Sequence, residues 1–358
     1  MTQGLRTRLA PWAKTTLLRC GGYSALRQLR PSRSVAILRY HAICGPEGHG
    51  YADPAICITP QAFERHVAYL TKHYAVMPLV EAVDRLRADR PLPNNAVAIT
   101  FDDGYADNLP AARVLARHGA TATFYITAGC MAGGLPFWPA EIRTLVANLR
   151  EPAVTLAAGP VNVTIPVGSA TEKRAAVLRI TKLFKSQRIP VREQLREQLR
   201  QAAGSPPLPD VMLTWDEVRE MRHLGMTIGA HTITHPNLPS AGLQAATAEI
   251  RGSKARLEDE TAAPVTMFSY PNGGAERYYT PELQAAVSAA GFEAAASSWN
   301  GFAGAHSDIY ALERIEVQER LEDFIFALEV ERFAFRPNAG RAPARASNGE
   351  QDAVVHRS

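Results

Sequence analysis

Residues 97–106, Val-Ala-Ile-Thr-Phe-Asp-Asp-Gly-Tyr-Ala, constrain the fold more than any other stretch of the chain. An apolar, β-branched run stops abruptly at two adjacent carboxylates and a glycine. Such a run reads as a buried strand of a parallel sheet. In α/β barrels and open sheets, chemistry collects where strands of this kind end. Side chains alternate along extended backbone, so Asp102 and Asp103 are expected to point different ways while flanking one site. One of them would bind a cation and the other handle a proton. Asp-Asp-Gly is equally an ordinary turn after a strand, and this stretch alone leaves both readings open.

The pattern recurs along the chain. A strand over 35–41 delivers His41 to its C-terminal end. An amphipathic helix (61–73), a short strand (74–79) and a helix (81–88) follow, then the Asp-Asp strand, a helix (109–118) and a strand (121–127). After residue 213 the rhythm resumes. Thr214-Trp215-Asp216-Glu217 is a capping box opening a helix that stops before Gly225. A strand over 226–231, a helix over 242–259 and a strand over 265–271 come next, the last running into an Asn272-Gly273-Gly274 turn. Thr280-Pro281-Glu282 caps a helix to Ala290. Strands over 293–298 and 310–317 and a helix over 321–335 close the series. Strand alternating with helix predicts parallel βα units in a barrel or a wound sheet.

Residues 137–213 break this rhythm with a helix (140–149), a hairpin (154–167) around Ala158-Gly159, two charged helical runs (172–185 and 191–203) and a proline-rich link. The segment reads as an insertion that caps the barrel. The organisation expected is thus a basic leader (1–34), a barrel body (35–336) carrying the insertion, and a tail (337–358) whose Pro, Gly, Ala, Ser and charge predict disorder.

The chain has 358 residues, 46% of them hydrophobic and 21% charged, enough to bury a sizeable core. The net charge of +4 is uneven, because residues 1–34 hold seven Lys/Arg and no acid. The remainder carries 32 basic against 35 acidic residues, a net of −3, which gives no support for nucleic-acid binding. The leader mixes Leu5, Leu9, Trp12, Leu17, Leu18, Leu26 and Leu29 with its basic residues. That composition suits an amphipathic helix on an anionic membrane surface, a poorly ordered basic leader, or a helix packed on the body. It lacks the apolar core and cleavage site of a standard signal peptide, and no stretch approaches a spanning helix. The expected location is therefore cytoplasmic or peripheral at the cytoplasmic membrane face. Cys20, Cys44, Cys57 and Cys130 show no metal-type spacing and are too sparse for a disulfide framework.

His231-Thr232-Ile233-Thr234-His235-Pro236 is the second decisive stretch. Two histidines four apart can share a metal, and Pro236 disfavours a continuing helix, which puts the pair on a strand-end loop. Two imidazoles and one carboxylate hold a divalent ion on one side and leave positions for water and substrate.

Thr100-Phe101-Asp102-Asp103-Gly104 together with His231-Thr232-Ile233-Thr234-His235 resembles the polysaccharide deacetylases of carbohydrate esterase family four, which share the nodulation-type chitooligosaccharide deacetylase domain. Phe268-Ser269-Tyr270-Pro271-Asn272-Gly273 is similar to the family's third motif, and Leu312-Glu313-Arg314-Ile315 to its late Leu-x-Arg-Ile element. The resemblance spans residues 35 to 330. It implies a distorted (β/α) barrel of about seven strands and hydrolysis of N-acetyl groups on an amino-sugar polymer. Asp102 would be the general base on the attacking water. Asp103, His231 and His235 would ligate a divalent metal, Zn²⁺ or else Co²⁺, Ni²⁺ or Mn²⁺. The N–H of Asn272, after Pro271, would hold the developing oxyanion.

Two departures from the family stand out. The third motif has no Arg to orient the catalytic Asp, and Arg314 is the candidate replacement. The late Leu-x-His that supplies the general acid is also missing. The Tyr40-His41 strand end resembles the poly-N-acetylglucosamine deacetylase subgroup, in which an N-terminal His serves, and implies that role for His41, with His306 as the alternative. The substrate-binding candidates are Tyr270, Pro271, Asn272 and Trp299, with Tyr270 and Trp299 the ones for stacking on sugar faces. Competing readings keep the fold on a non-sugar amide or imide, take the triad for a non-haem Fe(II) oxygenase, or make the protein an inactive sugar-binding relic.

Overall fold

The computed structural model describes residues 10–273, 278–330 and 332. Ten strands occur among them: β1 (Ala36–Tyr40), β2 (Ala75–Val76), β3 (Ala96–Phe101), β4 (Thr123–Ile126), β5 (Ala153–Ala158), β6 (Val161–Pro166), β7 (Thr227–Ala230), β8 (Met267–Ser269), β9 (Ala294–Asn300) and β10 (Leu312–Glu316). Seven of them pair in parallel in the order β1, β10, β9, β8, β7, β4, β3. β3 then pairs with β1 from Ala36↔Val97 to Tyr40↔Phe101, closing an α/β barrel. β2 adds two residues beside the start of β3, shorter than the strand expected over 74–79, because the helix Leu79–Arg87 begins within that span.

Alternation along the strands separates two cores. Leu38, Tyr40, Val97, Ile99, Phe101, Phe124, Ile126 and Phe268 face outward and pack under the surrounding helices. Ile37, Ala98, Tyr125, Met267, Ala296 and Leu312 fill the lumen. Toward the C-terminal ends of the strands the lumen turns polar, with Thr100, Asp102, His231, Ser269 and Arg314 all buried. Gly229 leaves room for the Tyr125 ring in the lumen, since a Cβ there would come within 2.5 Å of it.

Between β4 and the helix Trp215–His223 that leads into β7, the chain forms a helix (Trp138–Asn148), the antiparallel β5–β6 hairpin and two further helices (Ala170–Lys185 and Ile189–Ala202). They share a core of their own, including Trp138, Leu145, Leu156, Ile180, Phe184, Leu195 and Leu199. Buried Glu141 ties the helices together by accepting from Arg196 at 2.6 Å and from Arg200. Capping boxes open two of the chain's helices, Ser169 with Glu172 and Thr214 with Glu217.

The described part of the leader forms two helices, Pro11–Arg19 and Gly22–Leu29, packed on the closing helix Leu321–Glu329. Lys14 pairs with Asp323 at 2.8 Å, and buried Arg27 with Glu329 at 2.7 Å. These two basic groups face carboxylates of the closing helix, so this part of the leader forms helices packed on the body. Residues 1–9, the end of the 321–335 helix and the 337–358 tail lie outside the described residues. No helix among the described residues is long and apolar enough to cross a membrane.

His66 gives the fold a pH dependence apart from the site. Its Nε2–H donates to the Glu319 carbonyl at 3.2 Å, and its Nδ1 lies 3.3 Å from the Tyr40 hydroxyl. Burial disfavours the imidazolium and lowers the ring to about 4. The unfolded chain therefore binds the proton first as pH falls. The stability held by neutral His66 is complete above about 6.5 and is lost progressively as pH falls toward 4, by up to about 3 kcal/mol. Thermal melting from pH 7 to 5 should show a smaller acid-side loss in His66→Gln than in the parent. Parallel losses in the two would contradict this assignment.

Candidate active site

Asp102 and Asp103 follow β3 directly, and backbone geometry brings both to the same place. Extended alternation would separate them, but Asp103 has φ +79° and Gly104 φ +92°, so the chain turns and both carboxylates line one cavity of about 460 Å³ at the barrel mouth. Thr232 (φ +68°), His235 (φ +53°) and Asn272 (φ +73°) are also left-handed. That conformation is a genuine outlier for a β-branched threonine. Strained residues gathered on three separate strand-end loops are what a functional site retains.

Asp103, His231 and His235 converge, with one donor atom from each lying within 4.8 Å of the others. His231 Nε2 is 3.5 Å and His235 Nε2 3.3 Å from Asp103 Oδ1. His231 Nδ1–H donates to the Ser269 carbonyl at 2.8 Å. That bond fixes the ring's orientation and leaves Nε2 as a lone pair in the neutral tautomer. A lone pair thus faces a carboxylate oxygen in a buried place, an arrangement that a cation between them satisfies. The donor set, two imidazoles and a carboxylate with a cavity on the open side, fits a divalent metal.

The His loop is held from three directions. Glu249, on the helix Leu243–Thr261, accepts from the backbone N–H of Ile233 and of Thr234, each at 2.8 Å, and from the Thr234 hydroxyl at 2.7 Å. Buried Arg192 donates to the same hydroxyl at 3.0 Å, and the Trp138 indole donates to the His235 carbonyl at 3.0 Å. Arg192 and Trp138 both belong to the insertion, which therefore braces a metal-ligand candidate as well as covering the mouth.

Asp102 is gripped by Arg314. The guanidinium donates to Oδ1 and Oδ2 at 2.7 Å each, and also to the Ser297 carbonyl and the Thr100 and Ser269 hydroxyls. Burial pushes the Asp102 carboxyl up, but Arg314 with the neighbouring imidazoles outweighs it and holds the group well below the usual carboxylate range. Burial likewise favours uncharged His41, lowering it to about 4. Its Nε2 lies 3.8 Å from Asp102 Oδ2.

Asn272 lines the cavity, and its amide donates to the Pro236 carbonyl at 3.2 Å. The other substrate-binding candidates require correction. Tyr270 is 1% exposed, stacks on Tyr279 and donates its hydroxyl to the Tyr310 carbonyl, so its ring is core and offers no face to a sugar. Pro271 is buried beside it, and neither Pro271 nor half-buried Trp299 is among the residues lining the cavity. His306 is exposed on the loop whose Ala303 pairs with Val35, at the opposite end of the barrel, and cannot serve as the acid.

Sequence reading also missed residues in the cavity wall, namely Arg39, Asp53, Arg143, Lys185 and Glu316. An arginine inside the apolar run 35–41 and a glutamate on the buried stripe of 243–261 were the available signals for Arg39 and Glu249. Arg143 and Lys185 gave none, because they reach the mouth only through the folding of the insertion.

Comparison with known proteins gives the chain a family and a fold. The sequence profile of the family described as polysaccharide deacetylase matches residues 89–149 and 166–295, omitting most of the β5–β6 hairpin. YxkH of Bacillus subtilis (strain 168), which carries the same family name, is 22% identical over 297 residues, covering 82% of this chain and 75% of its own. Among solved structures, the Streptococcus pyogenes deacetylase PplD in complex with acetate superposes with a TM-score of 0.54 at 18% identity, covering 84% of this chain and 99% of that one. IcaB from Ammonifex degensii gives 0.54 at 16%, covering 83% and 97%.

Proposed function

We propose, from the premise that the chain belongs to the polysaccharide deacetylase family and is a hydrolase of N-acetyl amide bonds, that it removes acetyl groups from an amino-sugar polymer with Asp102 as general base. The observation that carries this is a buried carboxylate kept ionised by Arg314 beside a separate Asp-His-His donor set. Asp103, His231 and His235 are the residues that would hold a divalent ion, which when bound supplies Lewis-acid polarisation of the acetamido carbonyl.

Asp102 accepts a proton from the attacking water, and the N–H of Asn272 is assigned to the developing oxyanion. His41 is uncharged at rest, which suits it to receive that proton from Asp102 and pass it to the sugar nitrogen as the C–N bond breaks. The products are acetate and the free amine.

Acetate release from N-acetylglucosamine oligomers tests this reading. Activity should fall to background with a chelator, return when Zn²⁺ or Co²⁺ is added back, and be absent in His235→Ala under every condition. Full turnover in the presence of the chelator would contradict the metal assignment, and no acetate under any metal would contradict the reaction.

A further inference from the structure

The helix Ala170–Lys185 ends at the cavity, with Thr181 and Lys185, one turn apart, both lining it. Lys182 is exposed, whereas Lys185 is half-buried in the mouth. Among the described residues Lys185 makes no hydrogen bond or ion pair, although Asp103 and Asp53 both act on its charge.

The other charges of the wall are committed. Arg143 pairs with Asp53 at 2.6 Å, Arg39 lies 3.7 Å from Glu316, and Asp102 is taken by Arg314. Asp103 belongs to the donor set with His231 and His235. The C-terminal end of the Lys185 helix favours a cation but leaves the ammonium without a partner among the described residues. A half-buried ammonium is costly to keep unpaired. Sugar hydroxyls can accept its hydrogen bonds without balancing its charge.

We propose that Lys185 is a specificity-determining residue that receives an anionic group, a carboxylate or a phosphate, carried by the substrate near the acetamido group under attack. The inference rests on the deacetylase reading and goes beyond it by giving the substrate a charge. Lys185 touches the substrate away from the reacting atoms, so it acts on binding and leaves the proton path to Asp102 and His41.

The test measures acetate release by the full chain, as wild type, Lys185→Met and Lys185→Arg. It uses three probes: chitotetraose (neutral), a hyaluronan tetrasaccharide (carboxylate) and N-acetylglucosamine 1-phosphate (phosphate). Lys185→Met is expected to raise KM for at least one anionic probe by roughly tenfold or more, the scale of a lost charge-assisted contact. Its kcat should stay within about twofold and its KM for chitotetraose should not move, while Lys185→Arg keeps most of the preference. The anionic probe that responds identifies the source of the charge. Equal changes on neutral and anionic probes, a kcat loss without a KM change, or no change at all would overturn the proposal. Wild-type release from chitotetraose alone overturns this inference and spares the deacetylase reading. Release from none of the three overturns both.

Discussion

Asp102→Asn is expected to lower kcat for acetate release by roughly 10²–10⁴-fold, the range that a positioned acid or base contributes, with KM within a few-fold of wild type. The amide has nearly the shape of the carboxylate but cannot take a proton from water. It also disturbs the clamp: Asn retains one oxygen for the Arg314 guanidinium and sets an N–H donor against the other arm, where Asp102 accepts at 2.7 Å on both sides. Some loss of Tm is therefore part of the expectation, and kcat is to be measured well below the variant's own melting point. Turnover within threefold of wild type would place the base elsewhere.

Arg314→Met is expected to show the largest loss of stability, roughly 3–5 kcal/mol, because it strands a buried carboxylate without its counter-ion. Arg314 is 1% exposed, crosses the barrel lumen and contacts β3, β8 and β9 as well as Asp102. Five donor contacts converge on one planar group, so the conservative change is also informative. Lysine keeps the charge but cannot grip both carboxylate oxygens. The order wild type, Arg314→Lys, Arg314→Met is expected in both denaturant midpoint and kcat. A lysine variant as stable and active as the parent would show that charge alone matters and that the two-pronged grip does not.

The barrel was legible because its strands are mostly apolar runs and three of its helices, Pro60–His73, Trp215–His223 and Pro281–Ala289, open on a threonine N-cap. The motif residues were legible because catalytic carboxylates and imidazoles stand out at strand ends. Residues made functional by tertiary structure alone were harder. Tyr270 lies within the third motif, yet its ring turns outward from the barrel into the core, since alternation gives Ser269 the lumen-facing position. The approach of Asp103 to the same cavity as Asp102 depends on a positive φ that strand periodicity does not predict for an aspartate. His306 failed as a candidate because the loop after β9 returns to the bottom of the barrel before β10 begins, and composition carries no trace of that path. The insertion's elements were visible as periodic helices and a hairpin. Its bracing of the His loop through Trp138 and Arg192 was not, because both contacts join positions far apart in the chain.

The measurement that bears most directly on this account is an equilibrium zinc titration of wild type, Asp102→Asn and Asp103→Ala. One ion per chain should bind to wild type and to Asp102→Asn with similar affinity, and Asp103→Ala should bind it at least tenfold more weakly. Loss of the ion in Asp102→Asn, or an unchanged affinity in Asp103→Ala, would contradict the division of labour between the two adjacent carboxylates.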